Sequence, residues 1–337
     1  MIKEAIGTLV KGQSMTTNEA GEVMDEIMEG RATAAQLGAF LTALSIKGET
    51  TEEIAGLAGV MRAKAIQVKV SGPLLDVVGT GGDGLNTFNI STAAAIVAAA
   101  AGLKVAKHGN RAASSKCGSA DVLEKLGVKI DLSATQVQQC IQEAGIGFMF
   151  AAAFHPAMKY AAPTRREIGI RSVFNILGPL TNPAHAEYQV IGVSNISLAE
   201  KMAPAVMSLG AKHALIVHGL NGMDEISITD SSLIWEVKEG KMASSQRVIP
   251  EDFGLKRATK DSITGGTPEE NARIIFRIFE GELGPRRDTV VLNAAAALVA
   301  GERVENLNQG VTLAEELIDS GLALAKLKQM IEVSQRV

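Results

Sequence analysis

The residues best equipped for chemistry fall into three short runs. Gly79-Thr80-Gly81-Gly82-Asp83-Gly84 puts four glycines in six positions, which lets a backbone approach a ligand closely and turn its N–H groups inward. Asn89-Ile90-Ser91-Thr92 then opens a predicted helix with residues that cap it or donate to an anion, and free amides at a helix start take phosphate. Lys107-His108-Gly109-Asn110-Arg111-Ala112-Ala113-Ser114-Ser115-Lys116 gathers cations, hydroxyls, an amide and small residues. Finally, Asp224-Glu225 follows a glycine-rich turn at 218–223. Adjacent carboxylates there offer oxygen ligands to a hard divalent cation such as Mg²⁺, which takes one or two carboxylates and leaves the rest to phosphate and water.

Each run has a plain alternative: a tight turn with an ordinary helix cap, a solvated basic loop, a surface turn. Together they describe a site for a phosphorylated ligand and a metal. The glycine run formally contains GxGxxG after a strand, but a dinucleotide site wants a helix at once and an acidic residue about 20 positions on. Here the helix waits for Ser91 and Lys104–Lys107 occupies the acidic position. The GK[ST] of a P-loop is absent.

The elements that position these runs alternate. Strands are predicted at 74–78, 103–106, 189–193, 213–218, 226–229 and 234–237. Helices are predicted at 91–102, 119–126, 134–144, 198–209, 268–279, 290–300 and 313–333. Such alternation gives an α/β sheet with helices on both faces, and the two anion-type runs then sit at adjacent C-terminal strand ends, where such sheets bind ligands. Pro163–Leu177 fits the alternation poorly. It reads as a helix carrying Arg165, Arg166 and Arg171, and segment 163–183 is expected to return to a helical domain beside the interdomain cleft.

That domain spans residues 1–70, with the large α/β domain at 71–337. Its first 66 residues read as four short helices. Ile2, Ile6, Leu9 and Val10 form an apolar stripe ended by Gly12, and Thr16-x-x-Glu19, Thr33-x-x-Gln36 and Thr50-x-x-Glu53 are three capping-box patterns. Gly30 and Gly48 stand where C-terminal caps belong.

Composition narrows the function class. The 337 residues carry 33 Lys+Arg against 37 Asp+Glu, a net charge of −4, so nothing draws the whole chain to nucleic acid or an anionic membrane. Nine Phe, two Tyr and one Trp are too few for a base-stacking platform. The longest strongly apolar run, Ala93–Leu103, falls short of the roughly 20 residues of a spanning helix, and the amino-terminal residues lack a signal-peptide core. Cys117 and Cys140 form no CxxC or CxxH pair, which argues against a disulfide framework or thiolate metal cage. A soluble, cytoplasmic enzyme is expected.

The motifs GTGGDGLNTFNIST (79–92), KHGNRAASSKCGSADVLEKLG (107–127) and RREIGIRSVFNILGPLTNP (165–183), with Asp224-Glu225, resemble the anthranilate phosphoribosyltransferase family, essentially end to end. The resemblance implies a nucleoside-phosphorylase-like fold, a small all-helical domain hinged to a large α/β domain with a central sheet, usually a homodimer through the helical domain. It implies Mg²⁺-dependent transfer of phosphoribosyl from phosphoribosyl pyrophosphate to the amine of anthranilate in tryptophan biosynthesis. Under it, Gly79, Gly82, Asp83, Thr87, Asn89, Ile90, Ser91 and Thr92 contact the donor. So do Lys107, His108, Gly109, Asn110, Arg111, Ala112, Ala113, Ser114, Ser115 and Ser119. Ser91, Asp224 and Glu225 serve the metal, and Gly79, Asn110 and Arg165 meet anthranilate. One departure is Ala151-Ala152-Ala153, where the family pattern often has a proline before the His-Pro at 155–156. No general base is assigned. His108 is the nearest candidate, against a purely shaping role. The competing readings are a pyrimidine nucleoside phosphorylase, a phosphoribosyltransferase for another aromatic acceptor, and a non-catalytic nucleic-acid-binding relative.

Overall fold

The computed structural model describes residues 1–112 and 115–337. Four helices come first: α1 (Ile2–Val10), α2 (Thr17–Met28), α3 (Ala34–Lys47) and α4 (Thr51–Ala63). All three capping boxes form, with the hydroxyls of Thr16, Thr33 and Thr50 accepting from the N–H three residues on and the Glu or Gln there reaching back. Glu53 does more than cap. Fully buried, it accepts from the N–H of Met15 (3.0 Å) and of Thr50 (2.8 Å) and pairs with Lys47 Nζ at 2.8 Å, tying the α1–α2 turn to the α3–α4 turn. Val10, assigned to the apolar stripe by spacing, is 72% exposed at the end of α1.

Beyond a linker, the chain builds one eight-stranded sheet in the order β3-β2-β1-β4-β5-β6-β7, with β8 also pairing β6. Strands β1 (Leu75–Gly79), β2 (Val105–Gly109), β3 (Ile146–Phe150), β4 (Tyr188–Gly192) and β5 (His213–Gly219) run parallel. Strands β6 (Ser232–Lys238), β7 (Lys241–Met242) and β8 (Gln246–Val248) complete it antiparallel. The intervening helices are α5 (Ile90–Ala100), α6 (Ser119–Lys125), α7 (Ala134–Ala144), α8 (Ala151–Phe154), α9 (Ala162–Ile168), α10 (Phe174–Leu177) and α11 (Ile196–Ser208). Four more, α12 (Pro268–Phe279), α13 (Pro285–Ala300), α14 (Leu307–Asp319) and α15 (Leu322–Arg336), end the chain. Among the described residues, no helix is long and apolar enough to cross a membrane.

Beside a smaller cluster that packs Val137 and Ile141 of α7 with Ala106 of β2 and Met149 of β3, two large cores cover the two faces of the sheet. On one, the alanine-rich α5 and α13 pack with α14 and α15 against Leu75, Val77, Val190 and Val217. Their small side chains let backbones come close, so that a Cβ on Gly310 would meet Ala295 at 2.8 Å. On the other, α11 carries Met202, Ala203 and Val206 between Ile191, Ile216 and Trp235 of the sheet and the interior of the first four helices. Alternate residues of each strand serve alternate faces.

The structure departs from the sequence pattern in several places. The helix read over 163–177 breaks after Ile168, where Gly169 takes φ 62°, into α9 and the one-turn α10. The helix read over 313–333 is two, divided at Gly321 with φ 77°. Residues 226–229 form no strand, because the Asn293 amide accepts from the Ile226 N–H and donates to its C=O, both at 2.9 Å. Strand β3 forms where the pattern predicts none. Strand β2 begins and ends later than expected, so Lys107, His108 and Gly109 belong to the strand end and not to the loop.

Candidate active site

Strand β1 ends at Gly79, and the chain then turns through Gly81, Gly82 and Gly84 at φ 67°, 74° and 71°, left-handed values that glycine adopts without strain. The Thr80 N–H donates to the Gly192 carbonyl at 2.9 Å and the Gly81 N–H to Asp224 Oδ2 at 2.6 Å. A side chain at Gly79 would strike that same carboxylate. Strand end and Asp224 therefore meet because position 79 is glycine, and Gly192 of β4 makes the same room for the Asp224 backbone.

Asp83, Asp224 and Glu225 bring carboxylate oxygens within 4.8 Å of one another. Burial, then the Asp83 charge, pushes Asp224 up to about 6, and burial with the Asp224 charge lifts Glu225 well above the carboxylate range. Burial also raises Asp83. Asp83 Oδ2 and Glu225 Oε2 are buried without a hydrogen-bond partner among the described residues. Three crowded carboxylates with orphaned oxygens are a donor set that fits a hard divalent cation, which relieves their repulsion and supplies the missing partner. The structure thus groups Asp83, read from sequence with the donor, beside the two metal candidates. Ser91 lies half-buried in the first turn of α5.

Three further groups of the site are strand-borne, Asp76 on β1 and Lys107 and His108 on β2. Lys107 is 2% exposed, and its Nζ donates to the Val77 carbonyl at 2.6 Å. Burial draws it down to about 8 against the opposing charges of Asp76 and Glu225. Asp76, fully buried on β1, accepts from the His108 N–H at 3.2 Å and from Asn182 Nδ2 at 2.7 Å. Burial raises it to about 6. His108 points its Nδ1 at the Gly178 carbonyl (3.3 Å), in the 3₁₀ turn at Gly178–Leu180, and lies 5.1 Å from the buried ring of His155. Burial holds His108 near 3 and His155 near 4, so both imidazoles are neutral at pH 7. A ring that resists protonation so strongly is a poor proton acceptor in a reaction at neutral pH, which favours the shaping role for His108.

The start of α5 is left open. Asn89 is its N-cap residue, yet its side chain makes no capping bond. Instead Oδ1 accepts from Asn271 Nδ2 (2.9 Å) and from the Cys117 thiol (3.2 Å), and Nδ2 donates to the Cys117 carbonyl (3.2 Å). Ile90 is fully buried in the core and its N–H donates to the Phe88 carbonyl at 2.8 Å, and the Thr92 hydroxyl is buried without a partner among the described residues. Thr87 bridges to Thr264.

In the second loop, Asp121 of α6 accepts from the N–H groups of Ala112 and Gly118, both at 2.9 Å. Arg111 is held by Asp121 at 2.9 Å and Glu124 at 3.0 Å and stacks over Phe150. Its charge is thus already neutralised inside the loop. Asn110 is exposed, with Oδ1 accepting from the Arg111 N–H at 2.8 Å, and the Ser119 hydroxyl donates to the Asn110 carbonyl at 3.3 Å. Gly109 leaves room for that hydroxyl. The Ser115 hydroxyl lies 3.5 Å from the Cys117 carbonyl. Ala113 and Ser114 lie outside the described residues.

Arg165 and Arg166 differ as neighbours on a helix must. Arg165 is half-buried with its guanidinium 5.0 Å over the Phe174 ring, and it has no acidic partner among the described residues, whereas Arg166 is exposed. Farther along, Arg171 donates to the Gly82 carbonyl at 2.9 Å while its own carbonyl accepts from the Ser45 hydroxyl of α3 at 3.3 Å. This segment therefore links the first helices to the glycine loop.

Several site groups carry no signal in the sequence. Asp76 sits inside an apolar strand and Asn271 lacks neighbouring chemistry along the chain, while Asn182 and His155 stand in or beside quoted motifs with no role marked for them. Their signal is spatial.

Two family models match the chain: the helical bundle domain of a glycosyl transferase family over residues 3–65 and its a/b domain over residues 71–324. The anthranilate phosphoribosyltransferase of Dehalococcoides mccartyi is 60% identical over 336 residues, covering 99% of this chain and 98% of its own, and that of Chloroflexus aurantiacus is 58% identical over 335 residues, covering 99% of each. The Thermus thermophilus enzyme superposes with a TM-score of 0.93 at 44% identity over 98% of this chain and 99% of its own. The Saccharomyces cerevisiae enzyme, solved in complex with PRPP and Mg, gives 0.92 at 28% identity over 100% and 98%. With near-complete coverage in sequence and in structure, the chain belongs to the anthranilate phosphoribosyltransferase family.

Proposed function

We propose that this chain transfers the phosphoribosyl group of 5-phosphoribosyl 1-pyrophosphate to the amine of anthranilate, with Mg²⁺, releasing pyrophosphate in tryptophan biosynthesis. The C1′–O bond to pyrophosphate breaks, a C1′–N bond forms, and the amine loses a proton. The observation that carries the reading is the Asp83–Asp224–Glu225 cluster, set against the glycine loop beside an uncapped helix start. Asp83, Asp224 and Glu225 would hold the metal, and Ser91 would add a hydroxyl ligand. Bound there, Mg²⁺ supplies positive charge where the departing pyrophosphate gathers negative charge.

The chain's own groups do the rest. The amides of Gly82, Asp83 and Gly84 in the glycine loop, and of Ser91 and Thr92 at the start of α5, line the donor's phosphates. Gly109, Asn110, Ala112, Ser115 and Ser119 receive the ribosyl and phosphate groups. Lys107, held from behind, contributes charge at a distance, where two unit charges about 4 Å apart interact by about 4 kcal/mol at an effective dielectric near 20. Electrostatic stabilisation of the leaving group is thus the main term. An aryl amine carries a free lone pair at neutral pH, so a base is needed less. Arg165, free of acidic partners among the described residues, receives the anthranilate carboxylate with its planar fork, and Gly79 and Asn110 complete the acceptor contacts.

We also propose that residues 1–70, joined by segment 163–183, act as the helical domain against 71–337. The contact of α9 with α3 supports this. Exposed Val10 and Ile46, on the mutually packed α1 and α3, support a homodimer through that domain. The two unpaired cysteines accord with a cytoplasmic location.

Product analysis with altered acceptors tests the reaction. Anthranilate yields one N-ribosylated product and pyrophosphate per turnover, aniline reacts poorly for want of the carboxylate, and benzoate not at all. Equal turnover of aniline and anthranilate would remove the carboxylate from recognition. Phosphorolysis of uridine would favour the nucleoside phosphorylase instead.

A further inference from the structure

We propose that Asn271 is a positioning residue for the donor pocket, acting through Asn89; the inference rests on the reading of residues 89–92 as donor-binding. Asn271 stands in the first turn of α12, 1% exposed, far in sequence from every motif. Both ends of its amide are committed. Oδ1 accepts from the Gly266 N–H at 2.7 Å, and Nδ2 donates to Asn89 Oδ1 at 2.9 Å. Through Asn89 the network reaches Cys117, at the end of the second loop.

Three segments are thereby pinned at one point. The first is the 264–266 strap, which also pairs Gly265 N–H with the Asn86 carbonyl at 2.8 Å and lies against the Phe88 backbone. The second is the entry to α5, and the third is the loop after β2. The consequence is chemical. An Asn at a helix start ordinarily turns its side chain onto the free amides of the first turn. By claiming Asn89 Oδ1, Asn271 withholds that cap and leaves the Ser91 and Thr92 amides to an anionic ligand. It also fixes the spacing between the two loops that must close on one donor, and a misplacement of an ångström there is costly.

The test compares Asn89→Ala, Asn271→Ala, Asn271→Asp and the double alanine variant in the full-length enzyme, following both Michaelis constants and thermal melting. Asn271→Asp keeps the acceptor for Gly266 but sets a carboxylate against Asn89 Oδ1. Both Asn271 variants should raise the phosphoribosyl pyrophosphate KM by about tenfold, with the anthranilate KM within about twofold. The double variant should be no worse than Asn89→Ala alone, as for residues acting through one contact. A purely structural role would lower the melting temperature and leave both Michaelis constants of the folded enzyme unchanged, overturning the proposal. Additive effects in the double variant would also overturn it. If Asn89→Ala itself leaves the donor KM unchanged, the donor-site reading falls with it; if Asn89→Ala raises it and the Asn271 variants do not, only the positioning role fails.

Discussion

Replacing Arg165 with alanine removes a guanidinium that is half-buried over Phe174 and has no acidic partner among the described residues. Burial already depresses its pKa, so part of the cost of withdrawing this cation from water is met before any ligand arrives. A hydrogen bond to a charged group contributes about 1.5–3 kcal/mol. Arg165 would offer two to the anthranilate carboxylate, but in a cleft open to water the abandoned carboxylate is rehydrated, so one bond's worth is the appropriate loss. At about 1.4 kcal/mol per factor of ten, kcat/KM for anthranilate should fall roughly 10- to 100-fold. Arg166, exposed on the neighbouring face of α9, should cost less than about threefold on the same truncation, as an exposed charge at some distance does. Arg165→Lys keeps the charge but not the fork or the stacking and should fall between. The assay is the initial rate of anthranilate consumption at saturating donor, with the donor KM followed in parallel. Equal losses for the two alanine variants, or a larger loss at Arg166, would refute the assignment. So would an Arg165 effect confined to the donor KM.

Asp224→Asn with Glu225→Gln should abolish metal-dependent turnover while leaving the circular dichroism spectrum intact. Mg²⁺ at about ten times its Kd should raise the melting temperature of the native chain by a few degrees and that of the variant not at all. His108 and His155 stay neutral in the fold and protonate near 6.5 when unfolded, so their stabilising contribution is complete above about pH 6.5 and is lost as pH falls toward 4 and then 3. His155→Asn should accordingly lose less stability to urea than the native chain between pH 6.5 and 4, and equal losses would count against this. Glu53→Ala strands the Lys47 ammonium and two backbone N–H groups in the helical core. It should destabilise by about 3–5 kcal/mol, seen as a lowered urea midpoint for loss of helix signal.

The parts legible in the sequence are those set by neighbours along the chain. Thr16, Thr33 and Thr50 announce helix starts because each cap is closed by the residue three positions on. The glycine run announces its turn because left-handed backbone at 81, 82 and 84 requires it. The acidic pair at 224–225 is visible along the chain, but not its third member, since Asp83 joins only when β1 and β5 stand in one sheet separated by β4. The same holds for the backbone of 226–229, whose apolar residues look like a strand until Asn293 takes its hydrogen bonds. Strand β3 is hidden because its five residues lie directly between two helices, with only Gly145 and the φ of 73° it adopts to mark the turn. Asp76 and Asn271 act across 106 and 182 residues of chain to reach Asn182 and Asn89. No local pattern encodes such distances.

The proposed reaction is tested most directly by the decay of anthranilate fluorescence on adding phosphoribosyl pyrophosphate to the purified chain, with Mg²⁺ and with EDTA. A decay with Mg²⁺ that EDTA stops is the expected result. A decay that EDTA leaves untouched would contradict the metal assignment. No decay from a folded sample that still binds the donor would contradict anthranilate as the acceptor.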